Sequence, residues 1–465
     1  MTVQDIFTAL ALIGGLILAG KAIRRRVRVL QNLFLPSSIV GGALGLLLGP
    51  QVFGRFFEEP ARFHDGLWPT AIQEAWSAMP GLLISAVFAA LFLGKTIPSP
   101  RKIWRQAGPM VAHGQTLAWG QYVVGLTLAL FLLTPLFGIS PMSGALIEIG
   151  FEGGHGTAAG LGDTFRSLGF EDGADLALGL ATVGVVMGVL LGTALINWAV
   201  WRGHIPPPGE LGSVEEKESL SEHENREPEE TGGVKRDQAI EPLSVHLGFI
   251  ALAIGIGWLL LEGLVRMEAA WLVPLGWPEL LVHIPLFPLA MIGGVFVQIA
   301  ADRFGFSALI DRHLINRISG AALDVLIVAA LATLSLEAIG THAWAFGLLA
   351  LGGILWNLFG YLVLARWMFP EKWAVNGLAN FGQGMGMTVI GLLLVRMSDP
   401  KGQTGAMEAF GYKQLLFEPV VGGGLFTAAS LPLIDQFGAG PVLIGVSVLM
   451  IGWLIFGIWQ FRPGR

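Results

Sequence analysis

The chain has 465 residues, of which 53% are apolar and only 13% charged, with a net charge of −6. A water-soluble fold has nowhere to hide that fraction of apolar side chains, so a soluble globular protein is excluded. The absence of cysteine rules out disulfides and thiolate metal sites, and the absence of a basic patch interleaved with aromatics argues against a nucleic-acid partner.

Apolar runs of about 20 residues, the length that crosses a hydrocarbon core of roughly 30 Å, recur along the chain. They are continuous rather than alternating, which predicts helices and not the strands of a closed barrel. Spans are expected near 3–23, 33–53, 76–95, 108–137 and 173–200, then near 243–263, 280–301, 316–340, 343–367 and 415–435, with an unmatched last span near 438–460. The fold class is therefore an all-α polytopic membrane protein. Residues 1–203 form one five-span unit with an interrupted loop at about 140–170, and 243–435 a second with a loop at about 372–395. Residues 436–465 carry the extra span.

Between the units lies 204–242, whose 206–242 portion holds eleven acids against Lys217, Arg226, Lys235 and Arg236. It is too polar to bury enough surface to offset its ordering entropy, so a flexible acidic linker is expected. Basic residues set the orientation. Lys21, Arg24, Arg25, Arg26 and Arg28 follow the first span and Lys95, Arg101, Lys102 and Arg105 the third, which puts those loops in the cytoplasm. Counting onward, the linker, the loop with Arg303, Arg312 and Arg317, the stretch with Arg396 and Lys401, and Arg462 and Arg465 fall on that same side. The N-terminus is then outside and the C-terminus inside. The first span does not read as a cleaved signal, because its positive charges follow the apolar run.

The two units resemble each other. "LPSSIVGGALG" from Leu35 aligns with "FPLAMIGGVFV" from Phe287 at an offset of 252, and Thr157 in "GGHGT" answers Thr388 in "GQGMGMT" at an offset of 231. A repeat of five spans, an odd number, must insert upside down relative to the first, the inverted-repeat plan of secondary carriers. "ISPMSGALIEIGFEGGHGTAAGLGDTFRSLGFEDG" and "EKWAVNGLANFGQGMGMTVIGLLLVRMSDP" are too broken by glycine to cross simply, and each reads as a re-entrant hairpin, from outside in the first unit and from inside in the second. Irregular backbone at membrane depth is tolerated where it lines a cavity or is buried in protein, so two opposed hairpins imply a polar site near the midplane.

That site would be lined by Gly153, Gly154, His155, Gly156 and Thr157 from the first loop, and by Asn380, Gly382, Gln383, Gly384, Gly386 and Thr388 from the second. Glycine lets a ligand approach the peptide groups, half-helix N-termini hold a carboxylate, and exposed carbonyls hold a cation. His155 either donates to a substrate carboxylate, carries a proton, or stays neutral and bonded to its surroundings. Asp324, a carboxylate inside an apolar run, needs a cation, a proton or a salt-bridge partner. Glu148 and Glu152 are further sodium candidates, while Gln115, Gln121 and Asn357 either face the site or bond between helices. Gly41, Gly45 and Gly49, and Gly184, Gly188 and Gly192, recur every fourth residue and predict close helix contacts. No "GxxxxGK[ST]" motif is present for ATP-driven transport. Besides an ion-coupled carrier, a channel built from opposed half-helices remains open. An intramembrane enzyme does not fit, because no paired base or metal set accompanies His155.

"GGHGT" at 153–157, "NFGQGMGMT" at 380–388 and "ALDV" at 322–325 resemble the motifs of the bacterial sodium/glutamate symporter family. The second loop departs from that family's usual "GATPTA"-like run, and Phe151-Glu152 stands where a small hydroxyl residue commonly precedes the first glycine pair. The resemblance implies sodium-coupled uptake of glutamate or a related acidic amino acid or dicarboxylate, with Na+ as coupling ion and no organic cofactor. It also implies a homodimer in the bacterial inner membrane and an elevator-type movement. A proton-coupled carrier of another small organic anion is the alternative it leaves.

Overall fold

Lipid offers no partner to a backbone N–H or C=O, so a chain this apolar satisfies those groups within helices. The computed structural model describes residues 2–32, 35–57, 66–95, 100–205, 242–369, 371–400 and 402–461, and these form helices and turns with no strand among them. Nine helices among the described residues are long and apolar enough to cross a membrane. Apart from 204, 205 and 242, the segment expected to be the acidic linker lies outside the described residues.

In chain order come α1 (Val3–Arg26), α2 (Ser37–Leu47) and α3 (Thr70–Ala89). Next is α4 (Pro100–Leu128), prolonged to Phe137 through a π-helical turn at Ala129–Leu133. A broken stretch follows: a 3-10 turn (Pro141–Ala145), a π turn (Glu148–Glu152), α5 (Gly154–Gly160) and α6 (Gly162–Ser167). After it comes α7 (Gly173–Trp201). Then come α8 (Pro242–Met267), α9 (Leu286–Phe304), α10 (Arg312–Ala332), α11 (Leu336–Thr341) and α12 (Ala343–Phe359), the last prolonged to Met368 through a π turn at Gly360–Leu364. The chain closes with α13 (Trp373–Ser398), α14 (Ala406–Phe417), α15 (Leu425–Phe437) and α16 (Ala439–Phe461).

Two expected spans are corrected. The run 33–53 forms only the 11-residue α2 before turns take over. The run 415–435 is split into α14 and α15, because Gly422 (φ 72°) and Gly423 (φ 98°) adopt left-handed backbone that no α-helix contains.

The helices sort into two groups. α1, α2 and α3 pack with α8, α9 and α10, while α4 and α7 pack with the broken stretch, α12, α13, α14 and α16. In the first group the contacts come in matched pairs. A Cβ at Gly20 of α1 would fall on the carbonyl oxygen of Ser37, and one at Gly257 of α8 on the carbonyl carbon of Leu289. Likewise Gly41 sits on the Leu16 carbonyl and Gly293 on that of Ala253. Gly42 abuts Leu331 of α10, and Gly294 abuts Ala89 of α3. α3 and α10 run antiparallel: Gly94, just past the end of α3, lies on Arg312 at the start of α10, while Ile72 and Trp76 share a core with Val328 and Ala332. Arg312 closes the junction by donating to the carbonyls of Ala90 (2.8 Å) and Leu93 (2.7 Å), a cation at a helix C-terminus.

Candidate functional site

The 26 residues of α13 are enough for one crossing, but helical geometry fails at Gly386 (φ −153°, ψ 46°) and Met387 (φ 65°, ψ 177°). A straight helix would hold Gly382 and Gly391 about 13 Å apart. Instead a Cβ on Gly382 would lie 2.7 Å from the Gly391 Cα, and one on Gly391 would lie 2.6 Å from the Ala379 carbonyl oxygen. The two half-helices therefore fold back on each other, and glycine at the crossing is what lets their backbones touch.

The broken stretch before α7 is interrupted at Gly154 (φ 72°). A Cβ there would strike the Met387 thioether, so the breaks in the two segments meet tip to tip. α7 seals one side: a Cβ at Gly184 would strike the Met385 carbonyl and lie 2.9 Å from the Phe151 ring, while one at Gly188 would lie 3.1 Å from the Met385 Cβ. The α14–α15 bend seals another. A Cβ at Gly423 would lie 2.6 Å from Thr157 Oγ1, and one at Gly422 would lie 3.7 Å from Glu152 Cγ.

Of the polar side chains expected to line the site, His155, Thr157, Asn380 and Gln383 are buried and Thr388 is half-buried, and the hydrogen bonds sort them. Glu148 accepts from Tyr122 Oη (2.6 Å), Gly422 N (2.7 Å) and Thr427 Oγ1 (2.9 Å), so it ties the first segment to α4 and α15. Two buried oxygens stay free nearby: Glu152 Oε2 and Thr157 Oγ1 have no hydrogen-bond partner among the described residues. His155 Nε2 lies 3.0 Å from Thr182 Oγ1, whose own proton goes to the Leu178 carbonyl, which makes the imidazole Nε2 the donor. On the other segment, Thr388 donates to Glu418 Oε1 (3.0 Å), and Glu418 Oε2 is unpartnered. Gln121 and Asn357, from the prolonged helices α4 and α12, both donate to the Gly384 carbonyl (2.7 and 3.0 Å), which fixes the second tip. Gln115 accepts from Trp119 Nε1 within α4 and takes no part in the cluster.

Asn380 and Gln383 carry the largest surprise. Their side-chain oxygens accept from Lys413 Nζ of α14 at 2.9 and 2.8 Å, and Gln414 donates to Gln383 Oε1 at 2.9 Å. Asp324 stands apart: it is half-buried on α10 without a hydrogen-bond or ion-pair partner among the described residues, and its neighbour Leu323 lies 3.5 Å from where a Gly156 Cβ would be. Sequence reasoning missed Tyr122, Lys413, Glu418 and Thr427. A signal existed in "FGYKQLLFEP", where Lys413, Gln414 and Glu418 interrupt an apolar run too regularly for a loop.

A polytopic helical membrane protein whose helix breaks and buried polar groups converge inside an apolar bundle is the class that this architecture defines. The chain belongs to the sodium/glutamate symporter family, whose model matches residues 3–393. That is a family of transporters, not of enzymes. Among curated proteins it is similar to the sodium/glutamate symporters of Escherichia coli (strain K12) and Shigella flexneri, each 27% identical over 195 residues. The similarity spans 41% of this chain and 43% of each of those proteins, so less than half of their length is matched.

Proposed function

We propose that the protein is a secondary carrier that couples inward sodium movement to uptake of glutamate or a related acidic amino acid or dicarboxylate. The observation that carries this reading is the meeting of Gly154 with Met387, two chain breaks brought tip to tip at the centre of a buried polar cluster. Irregular backbone among apolar helices is what alternating-access carriers use at their binding sites. Substrate carboxylates would be met by the backbone and side chains of Gly153, Gly154, His155, Gly156 and Thr157 on one side and by Gly382, Gly384, Gly386 and Thr388 on the other. Asn380 and Gln383 act behind them. Of the three carboxylates that suggest sodium, Glu148 is fully taken up by its three donors, whereas Glu152 and Asp324 keep oxygens free for a cation.

The paired glycine contacts support an inverted repeat. Gly41 and Gly42 answer Gly293 and Gly294 at the same offset of 252 as the sequence match, and α3 and α10, the third helices of the two units, run antiparallel as inversion requires. The two helix groups support an elevator-type movement, in which α4, α7, α12–α16 and both hairpins travel against a scaffold of α1–α3 and α8–α10. The orientation with the N-terminus outside and the linker and C-terminus cytoplasmic, the bacterial inner membrane and a homodimer complete the proposal.

The test is uptake of labelled L-glutamate into proteoliposomes. An inward sodium gradient should concentrate it, and each net charge carried inward adds about 2.3 kcal/mol per 100 mV of inside-negative potential. Replacing sodium by choline should abolish the accumulation. Uptake indifferent to sodium, or driven equally by a proton gradient, overturns the coupling. A current that does not saturate with substrate would indicate a channel instead. A thermal-shift screen of amino and dicarboxylic acids with and without sodium would identify the substrate, since a ligand stabilises the state it binds.

A further inference from the structure

Lys413 lies outside residues 3–393, so the family match assigns it nothing. It is fully buried, and a buried ammonium must find partners for every N–H to repay its lost hydration. Its partners are all neutral. Two are the amide oxygens of Asn380 and Gln383. The third direction faces the Phe417 ring, whose centroid is 3.7 Å from Nζ, and Phe410 flanks it at 5.5 Å.

Which end of each amide faces the lysine is settled by the network. Asn380 Nδ2 donates to the Met110 carbonyl and to His113 Nδ1 (both 3.0 Å), and His113 Nε2 donates to the Gly360 carbonyl (3.1 Å). Turning the Asn380 amide over would set oxygen against the Met110 carbonyl oxygen. Turning Gln383 over would set an NH2 against the ammonium. Both oxygens are thus pre-aimed at one point. Gly114 of α4 leaves that point open, because a Cβ there would come 2.6 Å from Lys413 Nζ. A convergent pair of neutral oxygens with an aromatic face is a site for a monovalent cation, and here the cation is covalently attached.

We propose that Lys413 is a tethered cation, its ammonium filling an oxygen-lined cation site behind the second hairpin in place of a free ion that the carrier would otherwise bind there. The alternative role, anchoring a substrate carboxylate, fits the geometry less well, because all three N–H directions are already engaged. For transport the proposal rests on the carrier reading above; the site itself does not.

The experiment uses the purified full chain in sodium-free detergent solution, with thermal stability read against added NaCl, methylammonium chloride or choline chloride. Lys413→Ala should be stabilised by sodium and by methylammonium, both small enough to enter, and not by choline. Its half-saturating sodium concentration should fall roughly tenfold below the wild type's. Lys413→Met, which keeps the stem packed between Phe410 and Phe417, guards against simple loss of packing and should gain a weaker response to sodium. If both variants respond to the three salts as the wild type does, or if neither is folded even in sodium or methylammonium, the proposal falls. It falls equally if the variants lose stabilisation by glutamate while their cation response is unchanged, which would make the lysine an anion anchor. Absence of sodium-driven uptake by the wild type would count against the carrier reading and leave the cation titration decisive for this one.

Discussion

Gly154 is held by two independent constraints. Its φ of 72° is strained for any residue with a side chain, by roughly 1–2 kcal/mol, and a Cβ there would strike the Met387 thioether. Gly154→Ala should therefore abolish uptake while leaving the amount of protein in the membrane near wild type; normal uptake by this variant would remove the tip contact from the transport site. Glu148 should behave differently, through stability. Glu148→Ala orphans the Tyr122 hydroxyl, the Gly422 N–H and the Thr427 hydroxyl, and each buried donor left unmade costs about 1–3 kcal/mol, so its melting temperature in detergent should fall well below that of Gly154→Ala. Asp324→Asn should weaken the sodium dependence of uptake and leave the melting temperature little changed, because no partner is lost. At this scale a chain break at "GGHGT" was legible in the clustered glycines of an oily chain, and the backbone turns left-handed there at Gly154. Lys413 was not. One lysine near a span boundary looks like an interfacial charge until folding brings Asn380 and Gln383 over it.

The informative elements are the broken ones. The α14–α15 bend exists because Gly422 and Gly423 need left-handed backbone, yet the hydropathy of 415–435 alone suggests an unbroken span; only the contact of the bend with Glu152 and Thr157 explains why a break stands there. The break in α13 falls in a glycine-rich run, but the folding back of its two halves depends on Gly382 meeting Gly391, a spacing with no period of its own. Gly382→Leu should pry the half-helices apart and lower both melting temperature and uptake, whereas Gly340→Leu, where a Cβ meets nothing, should change neither. Past the end of α13, Asp399 accepts from Gln403 N and Thr404 N and Oγ1. Burial pulls its carboxyl upward, but the bonds from Thr404 and Gln403 outweigh this and hold it below the ordinary value of 3.8. A depressed folded-state value means the contribution is complete at neutral pH and is lost only as pH falls below about 3.8. Protection factors at Gln403 and Thr404, which are exchange rates corrected for the pH dependence of the unprotected amide, should thus stay constant from neutrality down to that value and fall below it.

At the scale of the whole molecule, the sequence suggests two units but not how the helices sort in space. Repeat offsets and basic residues follow the chain, while the partition into helix groups mixes α1–α3 with α8–α10 and depends on contacts such as Gly42 with Leu331 that no local pattern encodes. That partition makes a mechanical prediction. A Cβ on Gly160 of α5 would lie 3.2 Å from the Ile84 Cβ of α3, across the boundary between the groups, and at Gly45 a Cβ would lie 2.7 Å from the Ala332 Cβ within the scaffold group. A disulfide spans Cβ atoms about 3.5–4.5 Å apart, so small shifts admit one at either place. The chain has no cysteine of its own, so each pair can be introduced alone. If one group travels against the other, oxidising Gly160→Cys with Ile84→Cys should arrest uptake, and reduction should restore it. Oxidising Gly45→Cys with Ala332→Cys should leave uptake intact, because both residues ride on the same body. Full uptake with the first pair quantitatively cross-linked would mean that the groups do not move apart there. The hairpin tips would then have to open without displacement of the helices that carry them.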